Sequence, residues 1–226
     1  MTDVPDVTSR VNDGHSTPVL VEVAMMLKLM NAPQCSNIIG LHDWVKNENN
    51  FILSLEYADS CQTLEQYIKD TLDISENRAR QLMRQLIQAV KFCTERGVFH
   101  GDIHTENILV TQPRLQLKLI DFGVIFCTPP EVFRDPTFYA DPLNVWTIGI
   151  VLYEILHAEL PFRDEDSVMF ESAEIHPSMP GPDFPVFHLL STLAAAVTSV
   201  RKATVVQSND PKSYGAVRRQ DVEEHT

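Results

Sequence analysis

Along STPVLVEVAMMLKLM the apolar residues Leu20, Val23, Ala24, Leu27 and Met30 recur at three- and four-residue steps, which predicts a helix. Thr17 suits its cap and Pro18 its first position, and Glu22 falls off the stripe. Two β-like runs follow, IIGLHDWV (38–45) and FILSLEY (51–57), on either side of the turn-like NENN, and predict an antiparallel pair. Residues 60–69 suit a short helix. A longer helix is predicted from Ser75 to Glu95, where Ala79, Leu82, Met83, Leu86, Val90 and Cys93 keep the helical period and Gly97 suits the stop. The short runs ILV (108–110) and LKLI (117–120) bracket a turn at Pro113. Asp141-Pro142 is a good helix start, and LNVWTIGIVLYEIL after it is apolar nearly all round, which predicts burial on every side. Beyond Asp166 the pattern weakens. Four prolines fall between Pro177 and Pro185, HLLSTLAAAVTSV (188–200) suits one helix of small apolar residues, and the last twenty-six residues read as disordered, as do the first sixteen.

Composition narrows the functional classes. The chain has 226 residues, 44% hydrophobic and 22% charged, ordinary for a globular protein, and it shows no internal repeat. A net charge of −13 repels phosphate backbones, so nucleic acid is not an expected partner. The N-terminal MTDVPDVTSRVNDGHS lacks the basic start and apolar core of a signal peptide, and no apolar run is long enough to span a bilayer. Residues 188–200 are too short for that and are read as a packing helix, not a membrane anchor. The cysteines Cys35, Cys61, Cys93 and Cys127 form no CxxC pair and read as reduced thiols of a cytoplasmic or nuclear protein.

The chemistry concentrates in HGDIHTENILV, residues 100–110, which places His100, Asp102, His104, Glu106 and Asn107 within eight positions. Three readings compete: a metal cluster, a small-molecule phosphotransferase loop and an altered protein-kinase catalytic loop. On a strand, His100, Asp102 and His104 would share one face, as metal ligands do. The further acid, Asn and His strings that a metallophosphoesterase needs do not appear downstream. Phosphoryl transfer from a nucleotide needs a carboxylate to orient the acceptor hydroxyl and hard oxygen ligands for magnesium. Asp102 suits the first role, and Asn107 with Asp121 suits the second. A hairpin between the two strings would bring them side by side. Asp-x4-Asn followed by Asp121-Phe122-Gly123 is a specific signal. His100 is read as a buried, hydrogen-bonded scaffold residue.

With DFG, the H-x-D-x-x-x-x-N string resembles the protein-kinase-like superfamily. The local HGD-x-H-x-x-N is closest to aminoglycoside and choline kinases. The flanks LHDWV, FILSLEYADSCQTLEQYI, LMRQLIQAVKFCTERGVFH, LKLIDFG, TPPE and NVWTIGIVLYEILHAELPF are instead similar to eukaryotic serine/threonine protein kinases, and most to the Pim family. The match runs from about Pro18 to Asp166. It implies an α+β, protein-kinase-like fold: a mostly helical C-lobe with a remnant N-lobe of helix C plus two strands. The implied divisions are a disordered 1–16, a partial N-lobe and hinge at 17–57, a partial C-lobe at 58–166 and a divergent, largely disordered tail at 167–226. It implies ATP and magnesium as cofactors, and protein substrates or scaffold partners. Asp102 would be the base, with His104 beside it as a second catalytic-loop residue. Asn107 and Asp121 would hold the metal. Glu56 and Tyr57 would meet adenine at the hinge, over Leu109. Glu22 would be the helix-C acid, and Glu131 the glutamate of an APE-type motif.

The chain departs from that pattern. No G-x-G-x-x-G loop and no V-A-I-K lysine precede Glu22, where only twenty-one residues lie, so Glu22 has no evident partner and reads as a solvated acid. Gly101 stands where protein kinases carry Arg, and only seven residues separate Gly123 from Glu131, so the activation loop is nearly deleted. His104 stands where they carry Lys. A histidine of ordinary pKa, about 6.5, is mostly neutral at pH 7 and a weaker phosphate partner. Asn144 sits where many carry Asp. The pattern is that of a splice form, a gene-model fragment or a pseudokinase. It implies activity at least about a thousandfold below an intact relative, the scale of losing a major electrostatic stabiliser.

Overall fold

A computed structural model describes residues 20–31, 33–47, 50–56, 60–71, 73–122, 137–170, 173 and 216–218. Tyr57, Gly123, Cys127, Glu131 and the 188–200 segment lie outside them.

Helix α1 spans Val21–Met30, with Leu20 as its N-cap and no side-chain cap bond. It starts later than the Thr17-Pro18 signal, and both of those residues lie outside the described set. Its buried line is Val23, Met26 and Leu29, while Ala24 is exposed. The segment is apolar at nearly every position, so its periodicity allowed two stripes, and docking against the core selected the second. Strands β1 (Leu41–Lys46) and β2 (Phe51–Leu55) form the expected antiparallel pair, with a register shift between Leu41 and Asp43. Residues 38–40 do not belong to it. Ile38 bridges Leu119 instead, and the Ile39 amide donates to the Leu119 carbonyl at 3.0 Å.

The stretch read as one short helix divides in two. Strand β3 is Cys61–Thr63, and helix α2 is Leu64–Asp70. Thr63 both ends the strand and caps the helix, its Oγ1 accepting from the Gln66 amide at 3.1 Å. Helix α3 (Glu76–Glu95) follows its predicted limits, with Ser75 at the N-cap and all six predicted stripe residues buried. Its end is a Schellman motif: the Gly97 amide donates to the Thr94 carbonyl and the Val98 amide to the Cys93 carbonyl, each at 3.0 Å, and Gly97 has φ +62°. Strands β4 (Ile108–Thr111) and β5 (Gln116–Leu119) make the hairpin around Pro113, and β3 extends it to three strands in the order β3-β4-β5.

Helix α4 (Ala140–His157) buries Leu143, Trp146, Ile148, Val151, Leu152, Tyr153 and Ile155. Its enclosure is incomplete, since Val145 is exposed. A short helix α5 (Glu165–Phe170) is entered through a reciprocal cap: the Ser167 amide donates to Asp164 Oδ1 at 2.8 Å, and the Asp164 amide donates to Ser167 Oγ at 3.0 Å. Strand β6 (Thr137–Tyr139) pairs antiparallel with β7 (Ala216–Arg218), which places a strand inside the C-terminal stretch read as disordered. The polar composition there hid three residues whose pairing partner is about eighty positions away.

One apolar cluster runs through α1, the 38–41 segment, α2, α3, the β4-β5 hairpin and α4, with Leu64, Leu82, Leu86, Ile108, Leu117, Leu119 and Phe122 fully enclosed. Polar ties cross it. Asn37, itself buried, donates to Gln85 Oε1 and to the Leu117 carbonyl, both at 3.0 Å. The Leu117 amide also donates to Gln85 Oε1 at 3.0 Å. This network fixes the 36–40 segment against α3 and β5, next to the loop that carries the polar cluster. Among the described residues no helix is long and apolar enough to cross a membrane.

Candidate active site

The loop from His100 to Asn107 is not a strand, so His100, Asp102 and His104 do not present one ligand face. His100 is turned into the core, where its ring lies 4.5 Å from that of Phe122. Its Nδ1 accepts from the Asp102 amide at 3.2 Å, which leaves Nε2–H to donate to the Ile120 carbonyl at 2.9 Å. Burial pushes its pKa down to about 4, so the neutral tautomer that makes both bonds persists at neutral pH. This is the expected scaffold role. Among the described residues no group of three or more His, Cys, Asp or Glu side chains could hold a metal ion.

Gly101 has φ +82°, a conformation an L side chain rarely adopts. It lets the chain fold back so that the Asp102 amide reaches the His100 ring. That backbone requirement accounts for glycine at position 101.

Asp102 is 5% exposed. Its Oδ2 accepts from Asn107 Nδ2 at 2.8 Å and lies 3.4 Å from His104 Nε2. Asn107 Nδ2 also donates to the Asp102 backbone carbonyl at 3.1 Å. Asp102 Oδ1 is buried with no hydrogen-bond partner among the described residues. A buried, half-satisfied carboxylate is costly, and such groups mark sites of chemistry. The Asn107 nitrogen is engaged, so its amide oxygen is the atom left for a cation. The turn Thr105–Asn107 is a single 3-10 turn, closed by the Asn107 amide donating to the His104 carbonyl at 3.0 Å.

His104 lies between two acids, with Nδ1 3.6 Å from Glu106 Oε2 and Nε2 facing Asp102. The Asp102 hydrogen bond raises its pKa, against the opposing effect of burial and with further help from the charges of Asp102, Glu106 and Glu154. The sequence-based expectation of an ordinary, mostly neutral histidine is therefore corrected toward the charged form. Thr105 Oγ1 donates to Glu154 Oε1 at 2.9 Å, tying the loop to α4. Burial raises the Glu154 pKa despite that bond.

Asp121 is exposed and has φ +61°, a left-handed conformation that Asp tolerates better than most residues. Its position follows from Ile120, whose amide donates to the Asn107 carbonyl at 3.0 Å and whose carbonyl takes the His100 bond. The hairpin thus brings the DF pair beside the Asp102–Asn107 turn, as the spacing predicted. Glu22 is half-buried, not solvated, and it lies within electrostatic reach of Asp121. Burial and the Asp121 charge both raise its pKa. Leu109 is half-buried in β4, opposite Lys118 of β5. Glu56 follows β2 and receives the Lys118 ammonium at 2.8 Å. Lys118 carried no signal in the sequence beyond its place in LKLI, because only the tertiary fold brings it to Glu56.

A family model described as the protein kinase domain matches residues 7–128, more than half of the 226. The chain belongs to the protein kinase family. It is 30% identical over 176 residues to the serine/threonine-protein kinase pim-2 of Danio rerio, across 69% of this chain and 57% of that one. It is 31% identical to the serine/threonine-protein kinase prk-2 of Caenorhabditis elegans, across 71% of this chain and 38% of that one. NUAK family SNF1-like kinase 2 of Homo sapiens is 28% identical, with 65% and 26% covered. A solved structure of Rad53 1-466 in complex with AMP-PNP superposes with a TM-score of 0.56 at 25% identity, covering 65% of this chain and 40% of that one. The fold is therefore protein-kinase-like, and the relatives are serine/threonine kinases. The chain spans 57% of the Danio rerio relative and less of the others.

Proposed function

We propose that the chain is a Pim-type serine/threonine protein kinase with impaired phosphoryl transfer to protein hydroxyls. The observation that carries the reading is the Asp102 carboxylate, held by Asn107 through one oxygen and left with the other buried and unpartnered. That free oxygen suits acceptance of the proton of a substrate hydroxyl. ATP supplies the phosphoryl group, and magnesium the charge neutralisation around it. The hard donors fit a magnesium site: the Asn107 amide oxygen and the Asp121 carboxylate would be its protein ligands. Protonated His104 would add positive charge next to the base. The backbone at Glu56 and Tyr57 would take the adenine edge, with Leu109 beneath the ring. The small lobe would run over 17–57 and the large lobe over 58–166, in a protein of the cytoplasm or nucleus that acts on protein partners.

A second reading, a kinase-derived scaffold or decoy that transfers little phosphate, is favoured by one observation. The Asp121 charge acts on Glu22, acid on acid, where a phosphate-gripping pair would need a cation. Both readings are tested by phosphate incorporation into a peptide substrate with Mg·ATP, the unsubstituted chain set against Asp102→Asn. The enzyme reading predicts weak transfer, at least about a thousandfold below an intact relative, that disappears in Asp102→Asn. Transfer within about tenfold of the relative contradicts the impairment. Transfer no higher than in Asp102→Asn leaves only the scaffold.

A further inference from the structure

Lys118 is a largely buried cation outside the HGDIHTEN loop and the DF pair. It lies in the middle of β5, opposite Leu109 of β4, so the two side chains share a face of the sheet. Its ammonium reaches Glu56 Oε1 at 2.8 Å and Oε2 at 2.9 Å, and donates to the Ser36 carbonyl at 3.1 Å. The Lys118 side chain is 13% exposed and that of Glu56 36%, so the pair is shielded more than a surface ion pair. Glu56 is held from a second side. The Gly40 amide donates to its Oε2 at 3.1 Å, and its own amide donates to the Gly40 carbonyl at 2.7 Å. A Cβ at position 40 would meet that same oxygen at 3.4 Å, an ordinary van der Waals contact, so the carboxylate lies close over the Gly40 backbone without requiring glycine there. Burial works to raise the Glu56 pKa, but the bonds from Lys118 and Gly40 and the charges of Lys118 and His42 outweigh it and hold the carboxyl below its ordinary value.

One cation therefore joins three segments: the loop after α1 through Ser36, the end of β2 through Glu56, and the sheet that carries Leu109. We propose that Lys118 is a positioning residue for the nucleotide base, fixing the backbone edge at Glu56 at a set distance from the Leu109 face. This rests on the reading of Glu56 and Leu109 as base-contacting positions. Lys118 touches neither phosphate nor metal in that reading, so its effect belongs to the base alone. The Asn37–Gln85–Leu117 network fixes the same loop independently, so loss of Lys118 loosens the Glu56 edge without freeing the whole segment.

The experiment is titration calorimetry of the 226-residue chain and its variants with Mg·ATP and with Mg·tripolyphosphate, which lacks the base. Lys118→Met and Glu56→Gln are each expected to raise the Kd for Mg·ATP by about fivefold, the scale of one partly buried ion pair, and to leave the Kd for Mg·tripolyphosphate unchanged. Lys118→Arg is expected to stay within twofold or so of the unsubstituted chain for both ligands. Equal weakening of both ligands would mean a general structural role and overturn the proposal, as would an unchanged Kd for Mg·ATP. Failure of the unsubstituted chain to bind Mg·ATP would overturn the nucleotide reading itself, a result distinguishable from loss in the variants alone.

Discussion

His100 makes the loop's dependence on a single protonation state explicit. Both of its ring bonds need the neutral tautomer, and its folded pKa of about 4 lies below the ordinary histidine value. A histidine depressed in this way contributes stability that is present above the unfolded pKa, about 6.5, and is lost as pH falls toward the folded value. The chain should therefore lose about 3 kcal/mol of stability between pH ~6.5 and ~4 from this residue. His100→Gln should be less stable at pH 7.5 yet flatter over that interval, as measured by urea unfolding. An equal slope in the variant would contradict the account. His104 acts with the opposite sign, because its raised pKa stabilises below the ordinary value and that gain is lost as pH rises through the folded one. Asp102 gives a different separation. Its Oδ1 is buried without a partner among the described residues, so Asp102→Asn removes a half-satisfied carboxylate and should abolish transfer while leaving the thermal midpoint equal or higher. A large fall in the midpoint would make Asp102 a structural residue first.

At the scale of elements, α3 and its exit loop were legible in advance. Seven side chains of α3 are buried on one stripe, and Gly97 closes it in the left-handed region. Nothing lies within 4 Å of a Cβ placed there, so Gly97→Ala should cost only the backbone strain, roughly 1 kcal/mol, readable as a shift of the urea midpoint. A cost above about 3 kcal/mol would imply a clash the structure does not contain. Gln85 tests the joint between elements. Gln85→Leu removes the acceptor of both Asn37 and the Leu117 amide and should destabilise by roughly 1–3 kcal/mol. The sequence reading missed this joint because Gln85 sits on a polar-looking flank of its helix. Helix α1 was misjudged for the opposite reason, since its apolar residues were too many to define one stripe. Residues 38–40 read as strand because Ile38 and Ile39 are β-formers, but the Ile38 amide donates to the Cys35 carbonyl and the Ile39 amide to the Leu119 carbonyl, and only Gly40 bonds to Glu56 at the end of β2.

For the whole molecule, the strings that carry chemistry were the most legible feature, because H-x-D-x4-N and DF are set by bonding needs local to one loop and one hairpin. The long-range pairings were not. The Asp121 charge acting on Glu22, and Lys118 holding Glu56, join positions 99 and 62 residues apart, and no pattern within a helix or strand announces them. One apolar cluster continues from α1 to α4, so the segment carrying Glu22 and the loop carrying Asp102 are parts of one packed body. The β1-β2 pair sits at its margin with Val45 and Ile52 exposed opposite one another. The central claim is that Asn107 and Asp121 still form a magnesium-dependent nucleotide site on this body. The most direct test is the melting temperature of the chain with ATP, with and without magnesium, and with Asp121→Asn as control. The account predicts a rise of roughly 5–10 °C that requires both magnesium and Asp121, as expected when ligand at about a hundred times its Kd adds roughly 2.7 kcal/mol. A cooperative melt that ATP does not shift, or a shift that survives in Asp121→Asn, would contradict it.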